Sequence, residues 1–317
     1  MTPQRAKLCL KARPTPGQLA DRLRPGDSAF PDGLELYLDL ADIADQAAMD
    51  GVVGQIERCH LPRDFALLIE GPVGSFDGGF FDPTRSSQDD RLVLDRLAHL
   101  AGRLRARAVN IHLIAPSDDL SRLTVATRAR LLARAVPFFQ RFAEVTRAAG
   151  AVPTVENMPP VMRMRVGGWY FSPIGMASED LRWLVNRVPG LKILPDTSHA
   201  GLYLTARAVA RSSAPRGGAE PWQEPLFAYL RQLPDEAPDL LGYCQSLAPS
   251  VANAQVSNSA GLLGEGLPYG DGDYDLDPVI AWLGRNTEHI VAETLEQDND
   301  NAVTMRDTLR RMRLVLG

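Results

Sequence analysis

Short apolar runs alternate with longer amphipathic stretches along the whole chain. Eight of the runs read as strands: Lys7–Leu10, Gly33–Leu38, Phe65–Ile69, Ala108–Ile114, Val152–Val155, Leu191–Leu194, Val251–Val256 and His289–Thr294. Between several of them the apolar positions recur at helical spacing. Val93, Leu97, Leu100 and Leu104 are separated by steps of 4, 3 and 4. Leu131, Ala135, Phe138, Phe142 and Val145 keep the same rhythm, as do Ala302, Met305, Leu309, Met312 and Leu316. Strands and helices that alternate throughout predict an α/β protein with a parallel sheet covered by helices. Eight units in one chain predict a single eight-stranded β/α barrel, because closure removes both exposed edges. An open doubly wound sheet is the rival, yet the first strand runs into Leu10-Lys11-Ala12-Arg13-Pro14 and not into a Gly-rich nucleotide turn.

No linker divides the chain, so residues 1–317 read as one domain. The segment 202–247 is longer than a minimal strand–helix unit. Within it, Ala210–Pro238 is rich in Pro, Gly, Ser and Ala and reads as a long surface loop feeding a short helix. A second candidate flap, Met162–Pro173, follows the fifth strand and carries Arg163, Arg165, Trp169 and Tyr170. With Trp222 and Tyr269, these aromatics read as exposed residues that pack a lid or a dimer face.

Composition narrows the classes. The net charge is -5, with 45% hydrophobic and 23% charged residues, as in ordinary globular proteins. No apolar run approaches the roughly 18 residues of a membrane span, and Arg5, Lys7, Lys11 and Arg13 surround too short an apolar stretch for a secretory signal. A mildly acidic chain without basic tracts carries no electrostatic footprint for nucleic acid. Three cysteines without CxxC spacing imply neither a disulfide framework nor a zinc knuckle. The expectation is a cytoplasmic protein with no membrane or nucleic-acid partner.

In a β/α barrel, chemistry sits where strands end. The fifth strand runs into Glu156-Asn157, the sixth into Asp196-Thr197-Ser198-His199, the seventh through Gln255 to Ser257-Asn258, and the eighth to Glu293. Glu156, Asp196, Gln255 and Glu293 therefore lie at the ends of four successive strands. Carboxylates converging on one mouth repel one another where the dielectric is low, so something positive must compensate. A divalent cation with oxygen ligands is the economical solution, and this donor set suits manganese or magnesium better than zinc. Taken singly, a strand-end Glu is more often solvated or salt-bridged, and a lone Gln or Asp-x-x-His carries little information. Their register on successive strands favours the metal.

The set Val155-Glu156-Asn157, Asp196-Thr197-Ser198-His199, Gln255-Val256-Ser257-Asn258, Gly270-Asp271-Gly272-Asp273-Tyr274-Asp275 and Glu293 resembles the xylose isomerase-like superfamily. That group includes ketose epimerases, hydroxypyruvate isomerases, inosose dehydratases and type IV apurinic endonucleases. The resemblance spans most of the chain and is stronger in its second half. It implies that Glu156, Asp196, Gln255 and Glu293 hold one divalent ion per chain, manganese first, with magnesium or cobalt as substitutes. Many members carry His at the Gln255 position, but hydroxypyruvate isomerase-like members carry Gln. The resemblance also implies that His199 hydrogen-bonds a sugar hydroxyl and that His112 faces the site. Glu70, Asn258 and Glu265 complete the candidate substrate contacts, although Asn258 stands where Asp is common. Homodimers or homotetramers are frequent among such proteins. His60 and His99 read as surface or packing residues on helical segments, and His289, at the start of the eighth strand, as structural.

The chemistry expected of such a site is proton movement beside a carbonyl, with Glu156 and Glu293 as base and acid on a small sugar, keto-sugar or hydroxy-keto acid. The same pair could drive β-elimination, making a dehydratase or lyase. A phosphodiesterase acting on abasic DNA fits poorly: Glu70, Gln255, Glu265 and Leu267 occupy positions where zinc ligands would be expected. A sugar- or protein-binding barrel without turnover is the non-enzymatic alternative.

Overall fold

The computed structural model describes residues 5–163, 169–212 and 220–317. Eight parallel strands run β1 (Lys7–Ala12), β2 (Gly33–Tyr37), β3 (Ala66–Glu70), β4 (Ala108–His112), β5 (Val152–Glu156), β6 (Lys192–Leu194), β7 (Asn253–Val256) and β8 (His289–Ala292). They are ordered β6-β5-β4-β3-β2-β1-β8-β7. The seam between β6 and β7 closes the barrel through two bridges, Ile193 with Val251 and Asp196 with Gln255. There the Ile193 amide donates to Ser250 O at 2.8 Å and the Gln255 amide to Pro195 O at 3.0 Å. All eight expected strands are present, with ends differing by up to two residues. β3, β4 and β7 are buried along their whole length, as strands covered on both faces must be.

The helices form the outer layer: α1 (Pro16–Arg22), α2 (Gln46–Arg58), α3 (Gln88–Leu104), α4 (Val125–Ala148), α5 (Ser178–Val185), α6 (Thr197–Arg211), α7 (Gln223–Leu230), α8 (Leu240–Ser246), α9 (Asp277–Asn286) and α10 (Val303–Leu316). Their apolar stripes are the ones spaced at 3 and 4 in the sequence. Val93, Leu97 and Leu100 of α3 and Leu309 and Met312 of α10 are fully enclosed. In α4, Phe138, Phe139 and Phe142 stack edge to face at 6.2 and 6.3 Å, and Phe81 closes on Phe138 at 5.5 Å.

A second, much smaller apolar cluster explains the interior. Cys9, Leu68, Ala108 and Val291, with Val152 against them, fill the barrel axis. Gly33 belongs to the same level, since a Cβ there would stand 2.5 Å from Ala66 O and 2.9 Å from Cys9 Sγ. Strand side chains alternate with period two. Two residues beyond this plug, each strand therefore sends its next inward side chain toward the mouth: Lys11, Glu35, Glu70, Asn110, Thr154 and Glu293. One further step reaches His112 and Glu156. The plug thus sets the register of the polar layer above it.

The short helix expected within Ala210–Pro238 is α7, and it packs into the core. Leu202–Arg211 continues α6, and α7 buries Leu226, Phe227, Tyr229 and Leu230. Its apolar spacing is obscured by flanking Pro, Gly and Ser; residues 213–219 lie outside those described. Trp222 is likewise buried, packed against Trp169 at 5.6 Å and Phe171 at 6.1 Å, while Trp169, Tyr170 and Tyr269 are half-buried. These aromatics pack the rim and do not present an open face. The candidate flap after β5 is an antiparallel hairpin, Val161–Arg163 with Trp169–Phe171; Arg165 lies outside the described residues. His60 follows α2 with φ +47 and does not sit in a helix, and both it and His99 are exposed. Among the described residues no helix is long and apolar enough to cross a membrane.

At the opposite end of the barrel, buried His289 hydrogen-bonds Asn253 Oδ1 at 2.8 Å. Burial, then the charges of Lys7 and Arg107, lower its pKa to about 4. The unfolded chain, with His near 6.5, binds more protons between these values, so stability should rise with pH from about 4 to 6.5. The expected gain is on the order of 3 kcal/mol across that window. Urea unfolding at pH 4.5, 5.5 and 7 should show it in the wild type and a flattened dependence in His289→Gln.

Candidate active site

Six charged or polar side chains from successive strands meet at the mouth. Glu70, Asn110, His112, Glu156, Asp196 and Gln255 are all buried. Glu156, the last residue of β5, has three polar side chains around its carboxylate. Its Oε2 accepts from Asn110 Nδ2 at 2.5 Å and lies 3.4 Å from His112 Nε2; its Oε1 lies 3.3 Å from His199 Nδ1. Burial alone would raise its pKa, but His112, then His199 and Lys11, bring it down to about 2.

Asp196 has two duties. It is the N-cap of α6, its Oδ1 accepting the His199 amide at 2.7 Å, which gives the Asp-x-x-His spacing an ordinary helical cause. Asn157 fixes it from β5: the Asp196 amide donates to Asn157 Oδ1 at 2.7 Å, and Asn157 Nδ2 donates to Asp196 O at 3.1 Å. Burial and then repulsion from Glu156 raise Asp196 to about 6, against the pull of His199. The first turn of α6 thereby holds His199, whose Nδ1–H donates to Asn157 O at 2.9 Å and whose Nε2 meets Glu265 Oε1 at 3.2 Å. Burial opposes charge on His199, but Asp196, Glu156 and Glu265 outweigh it and raise the pKa well above the usual value.

On the other side of the mouth, Lys11 Nζ bonds Glu70 Oε2 at 2.5 Å and also bonds Glu293 Oε1. Gln255 Nε2 donates to Glu35 Oε2 at 2.7 Å and to Glu70 Oε2 at 2.6 Å. An amide nitrogen between two carboxylates fixes the orientation of the group, so Gln255 Oε1 points away from them. That oxygen is enclosed and has no partner among the described residues, and the same holds for Glu293 Oε2 and Glu35 Oε1. Burial, then Glu70, push Glu35 up to about 8. Burial also raises Glu293 well above the carboxylate range; Lys11 pulls it down, while Glu70, Asp196 and Glu156 push it further up.

Three sets of donor atoms lie within 4.8 Å of one another: Glu70-His112-Glu156, Glu156-Asp196-His199 and Glu35-Glu70-Glu293. Glu156 and Asp196 thus share a set, whereas Glu293 groups with Glu35 and Glu70, tied there by Lys11. His199 and Glu265 are bonded to each other. Asn258 uses its whole amide on backbone: Nδ2 donates to Tyr269 O at 3.1 Å and Tyr274 O at 2.8 Å, and Oδ1 accepts from Ser259 N at 2.9 Å and Tyr274 N at 3.3 Å. It shapes the Gly-Asp-Gly loop at the rim and has no hydrogen-bonding position left for a ligand. Above the mouth, Phe80 from the loop after β3 packs on Tyr170 from the hairpin after β5, at 4.6 Å.

Lys11 and Glu35 are among the mouth residues that strand-end position does not single out. Both lie inside apolar strands, Leu-Cys-Leu-Lys-Ala and Gly-Leu-Glu-Leu-Tyr, not at strand ends. A charged residue at period two in a buried strand was the available signal.

No protein-family model and no curated sequence matches the chain. Solved structures do. A D-tagatose 3-epimerase-like protein aligns with TM-score 0.62 at 14% identity over 98% of both chains. The 3-keto-D-glucoside 4-epimerase of E. coli aligns with TM-score 0.59 at 13% identity, covering 98% of this chain and 99% of that one. Endonuclease IV from Thermus thermophilus aligns with TM-score 0.54 at 14% identity over 98% of both. The chain therefore has the xylose isomerase-like barrel fold, which sugar epimerases and an endonuclease share.

Asn258→Asp would turn a carboxylate toward two carbonyls that now receive bonds. The expected cost is about 2 kcal/mol, from two part-buried acceptors left unpaired. It should appear as a lower urea midpoint and as faster proteolysis within residues 268–275.

Proposed function

We propose that this protein is a divalent-metal-dependent isomerase or epimerase of a small sugar, keto-sugar or hydroxy-keto acid. The observation that carries the reading is the pair of enclosed oxygens without partners, Gln255 Oε1 and Glu293 Oε2, on β7, which bridges Asp196 at the seam, and at the end of the neighbouring β8. An enclosed acceptor left unpaired is costly, and a cation relieves it. Burial first, and the neighbouring carboxylates after it, raise Asp196 and Glu293, against the pull of His199 and Lys11. Glu156, Asp196, Gln255 and Glu293 would hold the ion, and an all-oxygen set suits manganese or magnesium. When bound, the ion supplies Lewis-acid polarisation of a substrate carbonyl.

The remaining chemistry belongs to the chain. Glu156, kept ionised by its imidazole neighbours, is in the form that can accept a proton from carbon. Glu293 lies across β6 and β7 from it and is suited to return one on the other side of the substrate. His199, His112, Glu70 and Glu265 would bind and orient hydroxyl groups, with Asn258 keeping the rim in shape. The fold likeness to sugar epimerases supports the substrate class, while the shared fold of an endonuclease leaves the chemistry to these residues.

Protein purified without chelator should carry about one manganese or magnesium ion per chain by mass spectrometry, and Glu293→Ala should lose it. In a keto-sugar screen the product should keep the mass of its substrate; loss of water would replace isomerisation by elimination. Glu156→Gln and Glu293→Gln should each lower kcat by at least ~100-fold while remaining folded by circular dichroism. Near-normal turnover in either would overturn its acid–base role.

A further inference from the structure

The mouth contains more carboxylate than one ion needs. Glu35, Glu70 and Glu293 bring an oxygen each within 4.8 Å of one another, separately from the set built on Glu156 and Asp196. This second set already has a cation. Lys11 Nζ lies 2.5 Å from Glu70 Oε2 and bonds Glu293 Oε1, with the Lys11 side chain only 14% exposed. Glu35 pairs with Lys11 in the β1–β2 register and keeps Oε1 enclosed and unpartnered in the same cluster. Of the 34 basic residues only Lys7, Lys11 and Lys192 are lysines, so an otherwise arginine-using chain has a lysine at this point. An ammonium is a compact point charge on a flexible stem; a planar guanidinium would need a wider, forked cradle.

We propose that the Lys11 ammonium fills a second cation position, formed by Glu35, Glu70 and Glu293, and so limits the barrel to one divalent ion. The ion counted as the first rests on the reading given under the proposed function; the position held by Lys11 does not. Removing the ammonium leaves clustered carboxylates uncompensated, which is destabilising unless protons or another cation enter. Lys11→Met keeps the length of the side chain and discards its charge.

The test is equilibrium dialysis of chelator-treated protein against Mn2+, with bound metal counted by mass spectrometry. One ion in the wild type and two in Lys11→Met are expected, and Glu35→Gln added to Lys11→Met should remove the second ion and leave the first. Manganese should also raise the melting temperature of Lys11→Met by at least ~5 °C more than that of the wild type, since a ligand bound only by the folded state stabilises it. One ion in both proteins would overturn the inference and leave the proposed function standing. None in the wild type and one in Lys11→Met would do the reverse. Two in the wild type would overturn the inference, and none in either would overturn both. Should Lys11→Met not fold without metal, refolding it and Lys11→Ala over a series of Mn2+ concentrations decides the matter. Recovery driven by Mn2+ supports the inference, and failure at every concentration overturns it.

Discussion

Everything at the mouth of this barrel follows from one electrostatic constraint: carboxylates enclosed at close range must be compensated. Closure of the sheet points alternate side chains at the axis, and a small apolar plug fills the lower level. The next level therefore has to be polar to reach a solvated mouth. There Glu35, Glu70, Glu156, Asp196 and Glu293 converge. In a medium of low dielectric their repulsion is many times its value in water. The chain answers it with three different devices. An ammonium bridges Glu70 and Glu293, two imidazoles flank Glu156, and one amide nitrogen serves Glu35 and Glu70 together. The oxygens that remain unpaired after these contacts include two on residues, Gln255 and Glu293, that strand position alone had marked as metal donors.

The barrel was legible because buried parallel strands are short apolar runs, and because the helices between them show a 3.6-residue period. Strand ends were legible for the same reason: Glu156 and Glu293 interrupt their runs. Elsewhere the signal was weaker. In α7, Leu226, Phe227 and Leu230 have helical spacing, but Pro221, Pro225 and Pro234 around them give no sign that the short helix is buried. Asp196 and His199 were read as a chemical pair, and they are also a helix cap, so one spacing serves both purposes. In the sequence Lys11 is one of several basic residues near the start of the chain, with Arg5, Lys7 and Arg13. Its partners lie on β3 and at the end of β8, 59 and 282 residues away, and no local pattern reports such a pairing.

The imidazoles and the lysine do different work. His112 and His199 lie around Glu156 and favour its ionised form, on the β4–β6 side of the mouth. Lys11 works on the β1–β3 and β8 side, where it holds one oxygen of Glu293 and leaves the other free. The two glutamates proposed for proton transfer thus stand in unlike surroundings, one beside two imidazoles and an amide donor, the other beside a single ammonium among carboxylates. Unlike surroundings are what separate an acid from a base when the side chains are chemically identical.

Gln255 shows that these parts depend on one another. An imidazole at this position could offer a given neighbour only one N–H from each ring nitrogen, whereas the amide nitrogen offers two from a single atom. Both are used, toward Glu35 and Glu70, and the second of these carboxylates is the one that Lys11 holds. A histidine in place of Gln255 would leave Glu35 or Glu70 short of a donor while the lysine remained. Glutamine at position 255 and lysine at position 11 are therefore one arrangement. The neutral amide satisfies two carboxylates without adding charge, the ammonium supplies the charge, and the amide oxygen is turned away from both.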